Sequence, residues 1–101
     1  MPNKTKERAL EIINVYLQAI ETVKSVKSVI LVGSLSDDTY TGNAGSDIDL
    51  VHIIYDQYDY KKEKKKITDV ISLVESETNN DIHISRTVYS ERHLLHPYIY
   101  E

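Results

Sequence analysis

The chain has 101 residues, a formal net charge of −4 and a pI near 5.5, and 41% of its residues are hydrophobic. These values predict one small domain over residues 1–101, since domains most often contain about 100 to 150 residues. An acidic chain lacks the basic face that binds phosphate backbones, so we do not expect a nucleic-acid partner. The chain contains no cysteine, which excludes disulfides, zinc–thiolate sites and thiol catalysis. Neither a bilayer-spanning apolar run nor a signal peptide is evident, so we expect a cytoplasmic protein with no membrane partner.

The first part of the chain predicts a helix, a strand and a loop. Residues 4–25 carry apolar side chains at helical spacing, and the predicted stripe contains Leu10, Ile13, Leu17 and Ile20, widened by Ile12, Tyr16 and Val23. Residues 26–32 end in a β-branched run, which is typical of a strand buried on both faces. Residues 33–46 predict a long loop, and loops beyond about 12 residues in small domains are usually functional.

The remaining elements alternate in the same way. Residues 48–55 predict a second strand, and residues 56–78 predict a second helix whose apolar face contains Ile67, Val70, Ile71 and Val74. Asn79-Asn80 predicts a turn, residues 81–85 a third strand extending toward residue 89, and Ser90 the start of a short helix that Pro97 interrupts. This order predicts an α/β (α+β) fold, a small mixed β-sheet flanked by helices.

Three aspartates predict a metal site. Asp47 and Asp49 lie two residues apart at the start of a predicted strand, so their side chains share a face about 6.6 Å apart. Two such carboxylates repel each other unless a cation lies between them, and Mg²⁺ prefers oxygen ligands of this kind. Asp81 opens the next strand and would join the same face if the two strands are neighbours. Three carboxylates can hold two metal ions for in-line phosphoryl or nucleotidyl transfer.

A glycine and a serine predict a phosphate contact. Gly33-Ser34 follows a predicted buried strand and opens a turn. Glycine lets the backbone approach a phosphate closely, and exposed amides together with a serine hydroxyl can hold its oxygens. A Walker-type phosphate loop is excluded, because neither Gly-Lys-Ser nor Gly-Lys-Thr occurs here.

Val32-Gly33-Ser34, twelve intervening residues and Asp47-Ile48-Asp49-Leu50 together resemble the signature of the nucleotidyltransferase superfamily that includes DNA polymerase beta. The chain is most similar to minimal nucleotidyltransferases (MNT) and to the core of kanamycin nucleotidyltransferase. The resemblance implies a polymerase beta-like fold and transfer of AMP from ATP to a hydroxyl acceptor, with release of pyrophosphate. It implies that Gly33 and Ser34 bind the β- and γ-phosphates, that Asp47, Asp49 and Asp81 hold two Mg²⁺ ions, and that Asp81 helps to deprotonate the acceptor.

The resemblance also implies a partner. Larger relatives carry a helical domain for the acceptor, which this sequence lacks, so we expect a partner to supply that function. Minimal members are commonly paired with a small helical toxin of the HEPN class, which implies an MNT antitoxin of a HEPN/MNT pair. Many members carry an arginine shortly after Gly-Ser, where this chain has Ser36-Asp37-Asp38. Two alternatives stay open: a catalytically weak binding module that acts by contact, and a fragment of an antibiotic nucleotidyltransferase. The sequence also leaves a homo-oligomer open.

Other residues have competing interpretations. His83 shares a predicted strand face with Asp81 and is a candidate neighbour of the metals, although an exposed histidine without a catalytic role is the simpler interpretation. His52 has the opposite parity to Asp49 and is expected on the other face. A lysine cluster, defined as Lys61, Lys62, Lys64, Lys65 and Lys66, is either a solvated helix face or a contact for a nucleic acid or an acidic partner. The eight tyrosines either pack in the core or lie at a protein–protein interface.

Overall fold

The computed structural model describes residues 3–35, 40 and 47–92, with the side chain of Ser34 excepted. Within these residues, two α-helices, a short 3₁₀ turn and three strands follow one another along the chain. The helices are α1, Lys6–Ile20, and α2, Tyr60–Glu77, and the 3₁₀ turn is Gly33–Leu35. The strands are β1, Val26–Val32, β2, Asp49–Ile54, and β3, Thr87–Ser90. The result is an α+β fold, as predicted. No helix in this part of the chain has the length and apolar character needed to cross a membrane.

The described strands form a mixed sheet in the order β1-β2-β3. β1 pairs with β2 in the antiparallel sense, from Val26 opposite Ile54 to Val32 opposite Asp49. β3 pairs with β2 in the parallel sense, starting with Thr87 opposite Val51. The mixed sheet was predicted, but residues 81–85 were wrongly assigned as the third strand. In this segment only Ile84 makes a bridge, to Ile48, and the strand itself begins at Thr87.

α1 packs through only part of the predicted stripe, which included Ile12, Tyr16 and Ile20. Its buried residues are Ala9, Ile12, Tyr16 and Ile20. Leu10 and Leu17, which the predicted stripe included, are 46% and 39% exposed. The helix was also predicted too long at both ends. The Thr5 side chain accepts from Arg8 N and caps the start of the helix, and Glu21 is the capping residue at its end.

α2 begins after Asp59, whose side chain accepts a hydrogen bond from Lys61 N. Its inner face holds Ile67, Ile71 and Val74, all with no exposed surface. The predicted turn at Asn79 and Asn80 is confirmed, since both residues have positive φ, 61° and 55°.

The core lies between the two helices and one face of the sheet. Its sheet side contains Ile48, Leu50, Ile54 and Val88. The opposite face of the sheet is more open, with Ile30 45% and Val32 37% exposed. The prediction that β1 is buried on both faces was therefore wrong: a β-branched run does not itself show on which faces other elements will pack.

Candidate active site

The site begins where β1 ends and β2 starts. Val32 pairs with Asp49, so the next residue, Gly33, lies beside the Asp49 side chain. Gly33 has φ +76°, and a Cβ added to it would overlap Asp49 Oδ2 and lie 3.0 Å from Asp49 Cγ. Only glycine fits this position without moving the carboxylate. The two parts of the sequence motif, separated by the loop, therefore meet in space.

Alternation along the chain places both motif carboxylates on the same side. Ile48 is fully buried and Leu50 is 2% exposed, and both belong to the core. Because successive side chains in extended backbone point to opposite faces, Asp47 and Asp49 lie on the face away from the helices. Asp47 is exposed and Asp49 is half-buried. This pair of oxygen ligands fits a hard divalent cation, since Mg²⁺ is commonly bound through one or two carboxylates plus substrate phosphates and water.

Asp81 is engaged elsewhere in the structure. Its carboxylate accepts a hydrogen bond from Arg8 Nε at 2.9 Å, and the residue is 8% exposed. The backbone N–H of Asn3, and after it the Arg8 guanidinium, hold the pKa of Asp81 below its usual value. Arg8 also reaches Thr78 O at 3.4 Å, so this ion pair joins the start of α1 to the end of α2.

The structure does not bring the three aspartates together as a metal-binding group. Among residues 3–35, 40 and 47–92, no three or more acidic or histidine side chains are arranged to hold an ion. The role of Asp81 as a third ligand therefore stays a prediction. In the parallel register Ile48 lies opposite Ile84, so His83 is the residue opposite Asp47. Ile48 N donates to His83 O at 2.9 Å, and the exposed His83 side chain contacts Glu75 at 3.3 Å.

A buried carboxylate that the sequence analysis missed holds the segment beside the aspartates. Glu75 accepts hydrogen bonds from Ile84 N at 2.9 Å and from Arg86 Nη2 at 2.7 Å. Burial would raise the pKa of Glu75, but Arg86, the Ile84 amide and His83 together keep it below its usual value. A signal was present: Glu75 continues the row Ile67, Ile71 at intervals of four residues, which is the apolar row of α2.

A tyrosine from the loop lies near the motif. Tyr40 packs against the core, and its hydroxyl is buried without a hydrogen-bond partner in the described part of the chain. Burial, and then the negative charge of Asp47, raise the pKa of this hydroxyl. The Ser34 side chain, loop residues 36–39 and 41–46 with Asp37 and Asp38, and residues 93–101 with His93 and His96 lie outside the described residues. Of the predicted last helix only the start is described: Ser90 ends β3, and Glu91 and Arg92 are helical.

His52 lies on the helix-facing side of the sheet, as its parity predicted. Its Nε2 is 2.7 Å from the Tyr16 hydroxyl, and its Nδ1 is 2.9 Å from Thr87 O. Burial lowers the pKa of His52 and raises the pKa of Tyr16, so both are neutral near pH 7. In the neutral pair Nδ1 donates to Thr87 O, and the tyrosine hydroxyl donates to Nε2. This buried pair belongs to the core and not to the carboxylate face.

The lysine cluster lies at the start of α2. This helix follows the C-terminal end of β2, whereas Asp49 lies at the N-terminal end of that strand. All five of its side chains are exposed. Lys65 pairs with Asp69 at 3.2 Å and Lys66 with Glu63 at 3.2 Å, both within the helix. These contacts favour a solvated helix face over a part of the candidate site.

Comparison with known proteins identifies the family of the domain. The family model of the nucleotidyltransferase domain matches residues 13–99, which is most of the chain. The search of curated proteins and the search of solved structures each gave no match. The matched range includes both parts of the motif that meet at Gly33 and Asp49. The chain therefore belongs to the nucleotidyltransferase domain family and is a nucleotidyltransferase.

Proposed function

We propose that the protein transfers AMP from ATP to a hydroxyl acceptor on a partner protein, in a reaction that depends on Mg²⁺. The observation that carries the proposal is the contact between Gly33 and Asp49. This contact joins a glycine turn suited to phosphate with a carboxylate suited to a metal ion. The family match supports nucleotidyl transfer in general. The donor, the ion and the acceptor are parts of the proposal.

The residues of the site have different proposed roles in binding the metal ions and the nucleotide. Asp47 and Asp49 would hold the Mg²⁺ ions, two in the complete complex, with phosphate oxygens and water as further ligands. When bound, the ions neutralise the negative charge of the triphosphate. Gly33 leaves room for a phosphate at the backbone, and the hydroxyl of Ser34 would hold a phosphate oxygen. The protein thus acts mainly by positioning the reacting groups.

Asp81 is the third residue of the proposed site. The resemblance assigns it to metal binding and to deprotonation of the acceptor. That role requires its hydrogen bond with Arg8, at 2.9 Å, to open when substrate binds. The proposal therefore includes a closed state, with Asp81 held by Arg8, and an open state with a complete set of carboxylates.

For the acceptor, we propose a small helical protein of the HEPN class, with this chain as its antitoxin. The resemblance to minimal nucleotidyltransferases supports this pairing. Modification of a hydroxyl on the toxin would neutralise it. A second candidate function is neutralisation by contact with little catalysis. The ion pair between Asp81 and Arg8 favours this candidate. It leaves two of the three proposed carboxylates, Asp47 and Asp49, to bind an ion, and the catalytic set is then incomplete.

The test is transfer of label from α-³²P-ATP in the presence of Mg²⁺, with a lysate of the source cells or a protein encoded beside this gene as acceptor. Wild type is compared with Asp49→Asn, which keeps the side-chain volume and removes the charge. Label on one macromolecule with wild type and none with the variant supports the proposal. Capture of that protein without label by wild type and variant alike supports the contact mechanism.

A further inference from the structure

The pairing of β2 with its parallel neighbour is interrupted beside Asp49. Ile48 bridges Ile84, and regular pairing begins again at Val51 and Thr87. Between these points the Ser85 side chain, and not a backbone group, is the hydrogen-bond partner of β2. Leu50 N donates to Ser85 Oγ at 2.8 Å, and Ser85 Oγ donates to Leu50 O at 2.8 Å. One hydroxyl therefore satisfies both the amide and the carbonyl of the residue that follows Asp49.

This arrangement holds the backbone of Leu50, the residue directly after Asp49, in place. The Leu50 side chain is 2% exposed in the core, so the residue is held from one side by packing. The Ser85 hydroxyl holds its backbone from the neighbouring segment. Because Asp49 precedes Leu50 directly, both constraints act on the backbone that carries the Asp49 side chain. The Asp49 carboxylate lies against Gly33, where a Cβ would overlap Asp49 Oδ2, so the two residues leave no room for a side chain between them.

Ser85 itself is held from α2. Glu75 is buried and accepts from Ile84 N on one side of Ser85 and from Arg86 on the other, at 2.9 and 2.7 Å. Ser85 N also donates to Ile48 O at 2.9 Å. Hydrogen bonds, together with the backbone of residues 84–86, therefore connect the last turns of α2 to the residue that follows Asp49.

We propose that Ser85 and Glu75 are positioning residues that hold Asp49 in place for the metal–nucleotide complex. This inference rests on the proposed function, because it assumes that Asp49 binds the ion. Residues that orient metal ligands typically contribute about 10- to 100-fold to metal affinity or activity when they are removed. Loss of the Ser85 hydroxyl leaves two buried backbone groups of Leu50 without this partner, so the local backbone must rearrange.

The experiment measures Mn²⁺ affinity by electron paramagnetic resonance in the presence of a non-hydrolysable ATP analogue, together with the free energy of unfolding in urea. The variants are Ser85→Ala, Ser85→Thr, which keeps the hydroxyl, and Glu75→Gln. The matched control is Ser25→Ala. Ser25 is 1% exposed, and its hydroxyl donates to Glu63 at 2.6 Å beside the other end of β1. Its loss should destabilise the fold without touching the Asp49 peptide.

We expect Ser85→Ala and Glu75→Gln to weaken Mn²⁺ binding about tenfold or more. Ser85→Thr should stay near wild type, and Ser25→Ala should keep wild-type affinity despite a comparable loss of stability. Wild-type affinity in Ser85→Ala, or an equal loss in Ser25→Ala, overturns the positioning role. Equal affinity in wild type and Asp49→Asn instead overturns the proposed function, and the inference with it.

Discussion

The carboxylate of Asp49 lies against the Cα of Gly33. A Cβ at residue 33 would overlap Asp49 Oδ2, and glycine avoids this overlap because it has no side chain. The two residues are sixteen positions apart in the sequence, and the antiparallel pairing of Val32 with Asp49 brings them together. The requirement for glycine is therefore twofold. The left-handed φ of +76° disfavours any side chain, and the aspartate occupies the space that a side chain would need.

Gly33→Ala should abolish metal-dependent nucleotide binding. The added Cβ displaces the Asp49 carboxylate, and the left-handed backbone costs about 1–2 kcal/mol of stability. Mn²⁺ binding and urea unfolding measure the two effects separately. Ser28→Ala, at an exposed position of β1, the strand that Gly33 directly follows, is the control and should bind as wild type does. Wild-type Mn²⁺ affinity in Gly33→Ala would contradict the close packing of the two residues.

Asp81→Asn distinguishes a structural carboxylate from a metal ligand. If the pair with Arg8 at 2.9 Å is its main role, the variant should lower the free energy of unfolding and leave Mn²⁺ affinity unchanged. Arg8→Gln should have the same effect on stability, and the double variant should lose less than the sum of the single losses, because the two residues act as one pair. A loss of Mn²⁺ affinity in Asp81→Asn as large as that in Asp49→Asn would show the open state proposed above.

Stability should decrease on mild acidification because of His52. Burial lowers its pKa below the ordinary 6.5, so the unfolded chain takes up a proton that the folded chain excludes. The contribution of His52 is complete above pH 6.5 and is lost as the pH falls below that value toward its folded pKa. The loss approaches about 1.4 kcal/mol per pH unit.

Urea unfolding of wild type and His52→Gln between pH 7.5 and 5 measures this contribution. The buried acids have lowered pKa values and act only near and below pH 4.5, so they do not overlap this window. Taking the difference between the two proteins cancels the other histidines. The same pH slope in both proteins would show that His52 is not held neutral in the core.

The inner face of α1 can be tested with two matched truncations. Ile12→Ala removes a fully buried side chain and should cost about 2–5 kcal/mol. Leu10→Ala, at a position that is 46% exposed, should change stability by no more than about 1 kcal/mol. Thermal or urea unfolding gives both values. The reverse order would show that α1 is buried through Leu10 and not through Ile12.

Short-range patterns in the sequence were sufficient for most of the elements. Residues 26–32 were predicted as a strand with the bounds that the structure shows, because a β-branched run between a helix and a glycine has few alternatives. The parity of His52 placed it correctly away from Asp49, since the two-residue period of a strand fixes the faces. The motif around Gly33 and Asp49 was also evident, because its residue types and spacing are specific together.

Long-range contacts decided the rest. The third strand was placed about six residues too early, because apolar alternation at Ile82 and Ile84 occurs in a segment that Glu75 and Ser85 hold by side-chain hydrogen bonds. Asp81 had the sequence position of a metal ligand, but Arg8, 73 residues away, binds it in the structure. No local pattern carries information about such a distant partner.

The sequence by itself determined that this chain forms alternating helices and strands and carries a glycine–serine turn with a pair of aspartates. These features depend on residues close together in the chain. Only the tertiary structure decided which face of each element is covered, that Asp81 pairs with Arg8, and which buried polar groups hold the segment beside Asp47 and Asp49. Those outcomes depend on packing and hydrogen bonds between distant segments, whose partners are selected only when the whole chain folds.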